Sequence, residues 1–157
     1  MNPTRMPFVV LFVLGLLVSG AILAPVSTPV LAAPGKTGVL QVLKECDDYT
    51  GEAGSFCTIR SSSIPEIAPG SRVYYTQPPD VPVGLLDSNV VLDSGNGSRA
   101  VGRCTLDLAT GEGICTFSDG TGQFAGFHAR VDVFPPSQTR ADWLWTGTYG
   151  FVPAVGR

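Results

Sequence analysis

The chain has 157 residues, 44 % of them hydrophobic, and carries 13 Asp and Glu against 10 Lys and Arg, for a formal net charge of −3 at pH 7. Its charges are scattered, and without a basic stripe to neutralise phosphates the sequence argues against nucleic acid as a partner. The length is that of one domain with a sizeable core.

The N-terminal segment has the order of residues that is typical of a secretory signal peptide. Arg5 precedes an uncharged apolar run from Phe8 to Ala24, and small residues and prolines follow in PVSTPVLAAPG. We predict cleavage after Ala32, so that residues 1–32 are a signal peptide, residues 33–37 a short leader and residues 38–157 a single secreted domain. The alternative is a retained membrane anchor, because the apolar run is near the lower length limit of a spanning helix.

Beyond residue 37 the sequence predicts strands and turns. Apolar residues recur with period two, no stretch keeps helical spacing for three turns, and turn signals such as DSGNGS, ATGEG and SDGTG lie between the strands. An even number of strands joined by short turns can close without exposed edges, so we predict an all-β, antiparallel, up-and-down β-barrel. A two-sheet β-sandwich fits the same spacing and is the alternative. The eight predicted strands lie near residues 38–46, 55–61, 71–76, 85–93, 98–108, 113–118, 123–133 and 142–151.

The four cysteines indicate two disulfides. Cys46 and Cys57 are separated by ten residues, as are Cys104 and Cys115. In CTLDLATGEGIC an even-residue loop would place the two sulfurs opposite each other on one face of the hairpin. We predict one bridge within each hairpin, and pairings between the hairpins are the alternative. Two disulfides fit an oxidising compartment, and the lack of close cysteine pairs argues against a zinc site.

Aromatic side chains mark one face of the last two predicted strands. In DWLWTGTYGF, period-two alternation places Trp143, Trp145 and Tyr149 on the same side, and in FHARVDVF it places Phe127 on the apolar side. If these faces turn inward, the rings either fill the barrel or line a pocket for a flat apolar ligand. We take all four residues as candidates for a ligand cavity.

Tyr75 is the fifth candidate for the cavity. Tyr74 and Tyr75 are adjacent in a predicted strand and face opposite ways, and Tyr75 shares its face with Val73, which favours Tyr75 as the inward tyrosine. A buried phenol needs a hydrogen-bond partner, which makes Tyr75 the best candidate for a polar group aimed at a ligand. The only histidine, His128, alternates with apolar residues and is expected to face solvent. It lacks the partners of a hydrolase triad, so no catalytic residue is assigned.

One stretch resembles a known family. GICTFSDGTGQFAGFHARVDV is similar to the strand, Gly-Thr-Gly turn, aromatic residue, small residue, glycine and strand of the allene oxide cyclase and dirigent group of β-barrels, with VGRCTLDL before it and WLWTGTYGF after it in the order of that group. The resemblance covers residues 99–151. It implies an eight-stranded barrel with an apolar cavity, in proteins that steer the cyclisation or coupling of reactive small molecules, often as trimers or dimers. No residue matches the polar catalytic groups of either branch, and two disulfides depart from the plant members.

Two functions follow as hypotheses. The first is a secreted β-barrel that binds a small apolar ligand, either without catalysis or with a cyclase-like or isomerase-like activity that depends on shape. The second is a non-catalytic extracellular domain that has a structural role or contacts another protein. Neither requires a cofactor or a metal ion, and a homo-oligomer is compatible with both. Membrane contact is expected only if the N-terminal apolar segment is retained.

Overall fold

The structure is a computed structural model that describes residues 35–136 and 141–152. The predicted signal peptide, residues 1–32, lies outside the described residues. Within these two ranges, no helix is long and apolar enough to cross a membrane. The eight strands are β1 (Thr37–Glu45), β2 (Phe56–Ser62), β3 (Arg72–Tyr75), β4 (Leu85–Asp93), β5 (Arg99–Asp107), β6 (Gly113–Gly120), β7 (Phe127–Phe134) and β8 (Asp142–Phe151).

The strands form a closed antiparallel barrel in which each strand pairs with its neighbours in the sequence and β1 pairs with β8. The closing ladder runs over the whole length of β1, from Thr37 opposite Gly150 to Glu45 opposite Asp142. Closure leaves no free edge among the eight strands, which would otherwise offer unpaired backbone groups. The prediction of an up-and-down barrel is therefore confirmed, and the sandwich alternative is excluded.

Period-two alternation decides which side chains enter the barrel. Along β7, Phe127, Ala129, Val131 and Val133 are buried, whereas the residues between them are exposed. The same alternation holds along β5 and most of β4. Inward-facing residues from all eight strands therefore share one core, as the small diameter of an eight-stranded barrel requires.

The seventh strand begins later than the sequence predicted. The prediction was 123–133, but β7 starts at Phe127 and is preceded by a short 3-10 helix, Gly122–Phe124. Gly122 and Gly126 have φ angles of +60° and +74°, in the left-handed region that interrupts an extended chain and suits glycine. The turn carries Phe124 into the end of the barrel, where it is fully buried.

One end of the barrel is packed solid with aromatic rings. Phe127 lies with its ring centroid 5.5 Å from Phe124, 5.2 Å from Phe151 and 6.0 Å from Phe117. Phe117 in turn lies 5.5 Å from Trp145. We call these five residues the aromatic plug. Tilted rings at such separations are the favoured geometry for aromatic pairs, so this half of the interior is filled.

Both disulfides join neighbouring strands, as predicted. Cys104 lies directly opposite Cys115 in the β5–β6 ladder, with 4.1 Å between the Cα atoms. Cys46 is bonded to Cys57 with a Cα separation of 4.2 Å. Such short separations are those of residue pairs that do not exchange backbone hydrogen bonds in an antiparallel ladder. Two disulfides are consistent with an extracytoplasmic location.

We expect the double substitution Cys104→Ala and Cys115→Ala to lower the free energy of unfolding by about 2–3 kcal/mol, because the unfolded chain regains the loop entropy that the bridge removes. Urea unfolding followed by circular dichroism measures the loss. Thr116→Ala, a change on the outer side of the same ladder, is the control and should alter stability by less than about 0.5 kcal/mol. A loss no larger than that of the control would contradict the prediction.

Candidate functional site

An apolar pocket opens at the barrel end opposite the aromatic plug. It is surrounded by the connections that follow β1, β3 and β5 and has a volume of about 180 Å³. Its buried lining residues form the inner part. Cys46, Tyr49, Pro79 and Trp143 are partly buried, and Asp107 and Leu108 at the rim are exposed. The pocket is lined by Lys44, Cys46, Tyr49, Cys57, Tyr75, Pro79, Leu86, Leu106, Asp107, Leu108, Gly111 and Trp143.

The inner part of the pocket contains a buried lysine. Lys44 follows Leu40 and Val42 on the inward face of β1 and is 1 % exposed. Across the barrel seam it lies opposite Trp143 of β8, and on its other side it lies opposite Ile59 of β2. An amine is rarely buried among apolar side chains, because the charged form loses its hydration there.

The amine of Lys44 has one close polar neighbour. It donates a hydrogen bond to the hydroxyl of Tyr75, 2.5 Å away. Its nitrogen also lies 5.1 Å from the ring centroid of Tyr75, 5.8 Å from that of Trp143 and 5.2 Å from that of Trp145. Three aromatic faces at this range stabilise the ammonium form by cation–π attraction, without supplying a counter-charge.

Burial governs the protonation of this pair. It lowers the pKa of Lys44 to about 7. It also raises the pKa of Tyr75, with a smaller contribution from the nearby Tyr49. No carboxylate of the described residues forms an ion pair with Lys44. Near neutral pH, therefore, Lys44 is divided between amine and ammonium, while Tyr75 stays a neutral phenol.

Two further polar groups lie buried near the pair. The hydroxyl of Tyr49 and the indole nitrogen of Trp145 have no hydrogen-bond partner among the described residues. The Tyr49 ring packs edge-on against Tyr75, with 5.2 Å between the centroids, and Tyr49 lines the pocket. Buried polar groups are usually satisfied, so an unpaired hydroxyl beside a pocket offers a donor and acceptor to a bound molecule.

The predicted cavity residues fall at different levels of the barrel. Tyr75 is the inward tyrosine, 2 % exposed, and it lines the pocket together with Trp143. Trp145 lies below them, fully buried beside the Lys44 amine. Phe127 is part of the aromatic plug. Tyr149 is half-buried near Phe151, toward the plugged end. Only Tyr75 and Trp143 of the five therefore line this pocket.

Lys44 was not predicted as a site residue, although the sequence contains a signal for it. Leu40, Val42 and Lys44 occupy alternate positions in VLQVLKE, so a strict period-two pattern places the lysine inward. Charged residues at the end of a strand usually face solvent, so a lysine at an inward position is easily taken as exposed. His128 lies exposed on the outer face, as expected. In the described part of the chain, no group of three His, Cys, Asp or Glu side chains is placed to hold a metal ion.

The comparisons with known proteins give no match, whether to a family model, to a curated protein or to a solved structure. The proposed function therefore rests on the chemistry of the pocket.

We expect the free energy of unfolding to rise by about 2 kcal/mol between about pH 7 and about pH 9 through Lys44. In the folded protein the pKa of Lys44 is about 7, so above this pH the folded protein has released a proton that the unfolded chain still holds. Raising the pH therefore favours folding. The other titratable groups around the amine are Tyr49 and Tyr75, both with a pKa raised by burial, and Asp107 at the rim.

Lys44→Met should abolish this rise and increase stability at pH 7, since methionine fills similar space without a charge to desolvate. Urea unfolding at a series of pH values measures both effects. Lys36→Met is the matched control, because Lys36 is exposed and paired with Glu66. If Lys44→Met keeps the same pH dependence as the wild type, Lys44 does not titrate in this range.

Proposed function

We propose that this chain is an extracytoplasmic binding protein whose barrel takes up a small apolar molecule through its open end. The observation that carries the proposal is a buried lysine that lines an apolar pocket and donates hydrogen bonds to the Tyr75 hydroxyl and, at 3.9 Å, to the Cys57 sulfur, but pairs with no carboxylate of the described residues. A buried amine opposes folding unless it is matched, so its presence is accounted for by a ligand that it contacts.

The dimensions of the pocket support a ligand about the size of a single ring. Its volume of about 180 Å³ is close to that of an engineered protein cavity of roughly 150 Å³ that binds benzene. Leu86, Leu106 and Trp143 supply apolar walls. Lys44 and Tyr75 supply the few convergent polar groups that orient a ligand in such sites.

The resemblance of residues 99–151 to the allene oxide cyclase and dirigent group supports a further part of the proposal. In that group a barrel cavity steers the cyclisation or coupling of a reactive small molecule. An amine and a phenol joined by a hydrogen bond could move a proton to or from such a molecule while the pocket fixes its shape. We propose isomerisation or cyclisation as the activity if the barrel is an enzyme.

A second candidate function is supported by the loop between β3 and β4. Val81 and Val83 are 71 % and 70 % exposed in this proline-rich segment beside the pocket rim. Exposed apolar side chains are common singly but are more informative when they cluster. They favour either contact with an extracellular protein or a path by which apolar molecules reach the pocket. Double substitution to serine distinguishes the two, since it abolishes partner binding in the first case and slows ligand association in the second.

We expect toluene to bind in the pocket and raise the melting temperature in a concentration-dependent way, because a ligand that binds only the folded state stabilises it. Leu86→Phe places extra volume inside the pocket and should weaken toluene binding by about tenfold or more, as measured by isothermal titration calorimetry. Val101→Phe makes the same kind of change on the outer surface and should leave binding unaltered. Equal affinities in the two variants would argue against the pocket.

A further inference from the structure

The two lysines of the chain differ in exposure, in ion pairing and in pKa. Lys36 is exposed and paired with Glu66, which raises its pKa. Lys44 is buried and pairs with no carboxylate of the described residues, and its pKa is lowered to about 7. At neutral pH only Lys44 holds a large fraction of neutral amine, the form with a free lone pair.

The surroundings of Lys44 hold what amine chemistry on a carbonyl group needs. Lys44 lines the pocket among mostly apolar side chains, which suits a molecule with one polar end. The Tyr75 hydroxyl lies 2.5 Å from the nitrogen and stays protonated, because burial raises its pKa. A nucleophile and a proton donor therefore lie side by side, where one can attack the carbon of a carbonyl group and the other can protonate its oxygen.

We propose that Lys44 is a nucleophile that binds small apolar aldehydes and ketones covalently, as an imine, in the pocket at the open end of the barrel. The inference rests on the proposed function, because the carbonyl compound must occupy the pocket before it reacts.

The reaction balances without an oxidant, reductant or metal. The lone pair of the neutral Lys44 amine forms a bond to the carbonyl carbon, and the π electrons of the carbonyl move to its oxygen. Tyr75 donates a proton to that oxygen and takes one from the nitrogen, which gives a carbinolamine. Tyr75 then donates a proton to the hydroxyl group, which leaves as one water. The nitrogen lone pair forms the carbon–nitrogen double bond, and the second hydrogen of the nitrogen returns to Tyr75 as a proton.

The same features favour a carbonyl compound over a carboxylate ligand. A carboxylate would need Lys44 in its ammonium form, and burial of two opposite charges carries a desolvation penalty for each. A carbonyl compound needs the neutral amine, which is the form that burial favours. Conversion to the imine also removes the N–H groups through which the free amine would be hydrated. The modified side chain therefore suits the apolar pocket.

The test uses benzaldehyde and sodium cyanoborohydride with the purified protein at pH 7. The hydride reduces the imine to a stable secondary amine, and peptide mapping by mass spectrometry locates it. We expect Lys44 to be modified at least about tenfold faster than Lys36, because the neutral fraction of the two amines differs by far more than that at this pH. The rate at Lys44 should rise with pH and level off above its pKa of about 7.

The wild-type protein carries its own control, since Lys36 and the N-terminal amine compete for the same reagent. Lys44→Met should lose the pocket adduct, and Lys36→Met should keep it. Modification of Lys36 or the N-terminus with Lys44 unmodified would overturn the inference. If toluene binds and Lys44 still does not react, the proposed binding function stands and the covalent step fails. If neither toluene binds nor Lys44 reacts, both proposals fail.

Discussion

The pairing of β1 with β8 is the constraint from which the site follows. Closure turns the inner face of every strand toward one interior, so residues that are distant in the sequence share a small volume. Lys44, near the end of the first strand, thereby lies opposite Trp143, near the start of the last. Tyr75 reaches the same space from the end of β3. Without closure the amine would lie on a sheet edge in contact with water.

One end of the barrel interior contributes to stability, and the other end contains the candidate site. Toward one end, the aromatic plug and the buried Ile64 and Ile67 fill the barrel and exclude water. Toward the other end, a buried amine and an unfilled pocket reduce the gain from packing. A protein of this size has a small net stability, so a lysine that opposes folding must be offset elsewhere. The plug and the disulfides supply that offset.

The Cys46–Cys57 disulfide also shapes the pocket. Both cysteines line it, and the Cys57 sulfur lies 3.9 Å from the Lys44 nitrogen. The bridge joins Cys46, the residue after β1, to Cys57 at the start of β2, next to the point where the β1–β2 register shifts between Leu43 and Lys44. A bulge of this kind bends the strand that carries the extra residue and often lies beside a functional site. The covalent link holds the wall of the pocket where the ladder is irregular.

Local alternation and the even spacing between cysteines were enough to predict the eight strands, their turns and one disulfide within each hairpin, and the structure confirms these apart from the start of β7. The sequence favoured Tyr75 over Tyr74 as the inward tyrosine, because Tyr75 shares its face with Val73, and the structure shows both Tyr75 and Val73 buried. The start of β7 could not be predicted, because glycines at positive φ and the burial of Phe124 favour a helical turn over an extended chain.

The role of each inward residue depends on its position along the barrel, which the sequence does not show. Phe127 and Trp145 show the same pattern in sequence as Trp143, but their height along the barrel places the first two in the plug and the third at the rim of a pocket. Lys44 becomes a candidate reactive group only when β8 and β3 bring rings and a phenol around it. The pKa of an amine depends on the groups that enclose it in space, and strand closure, not local sequence, sets that enclosure.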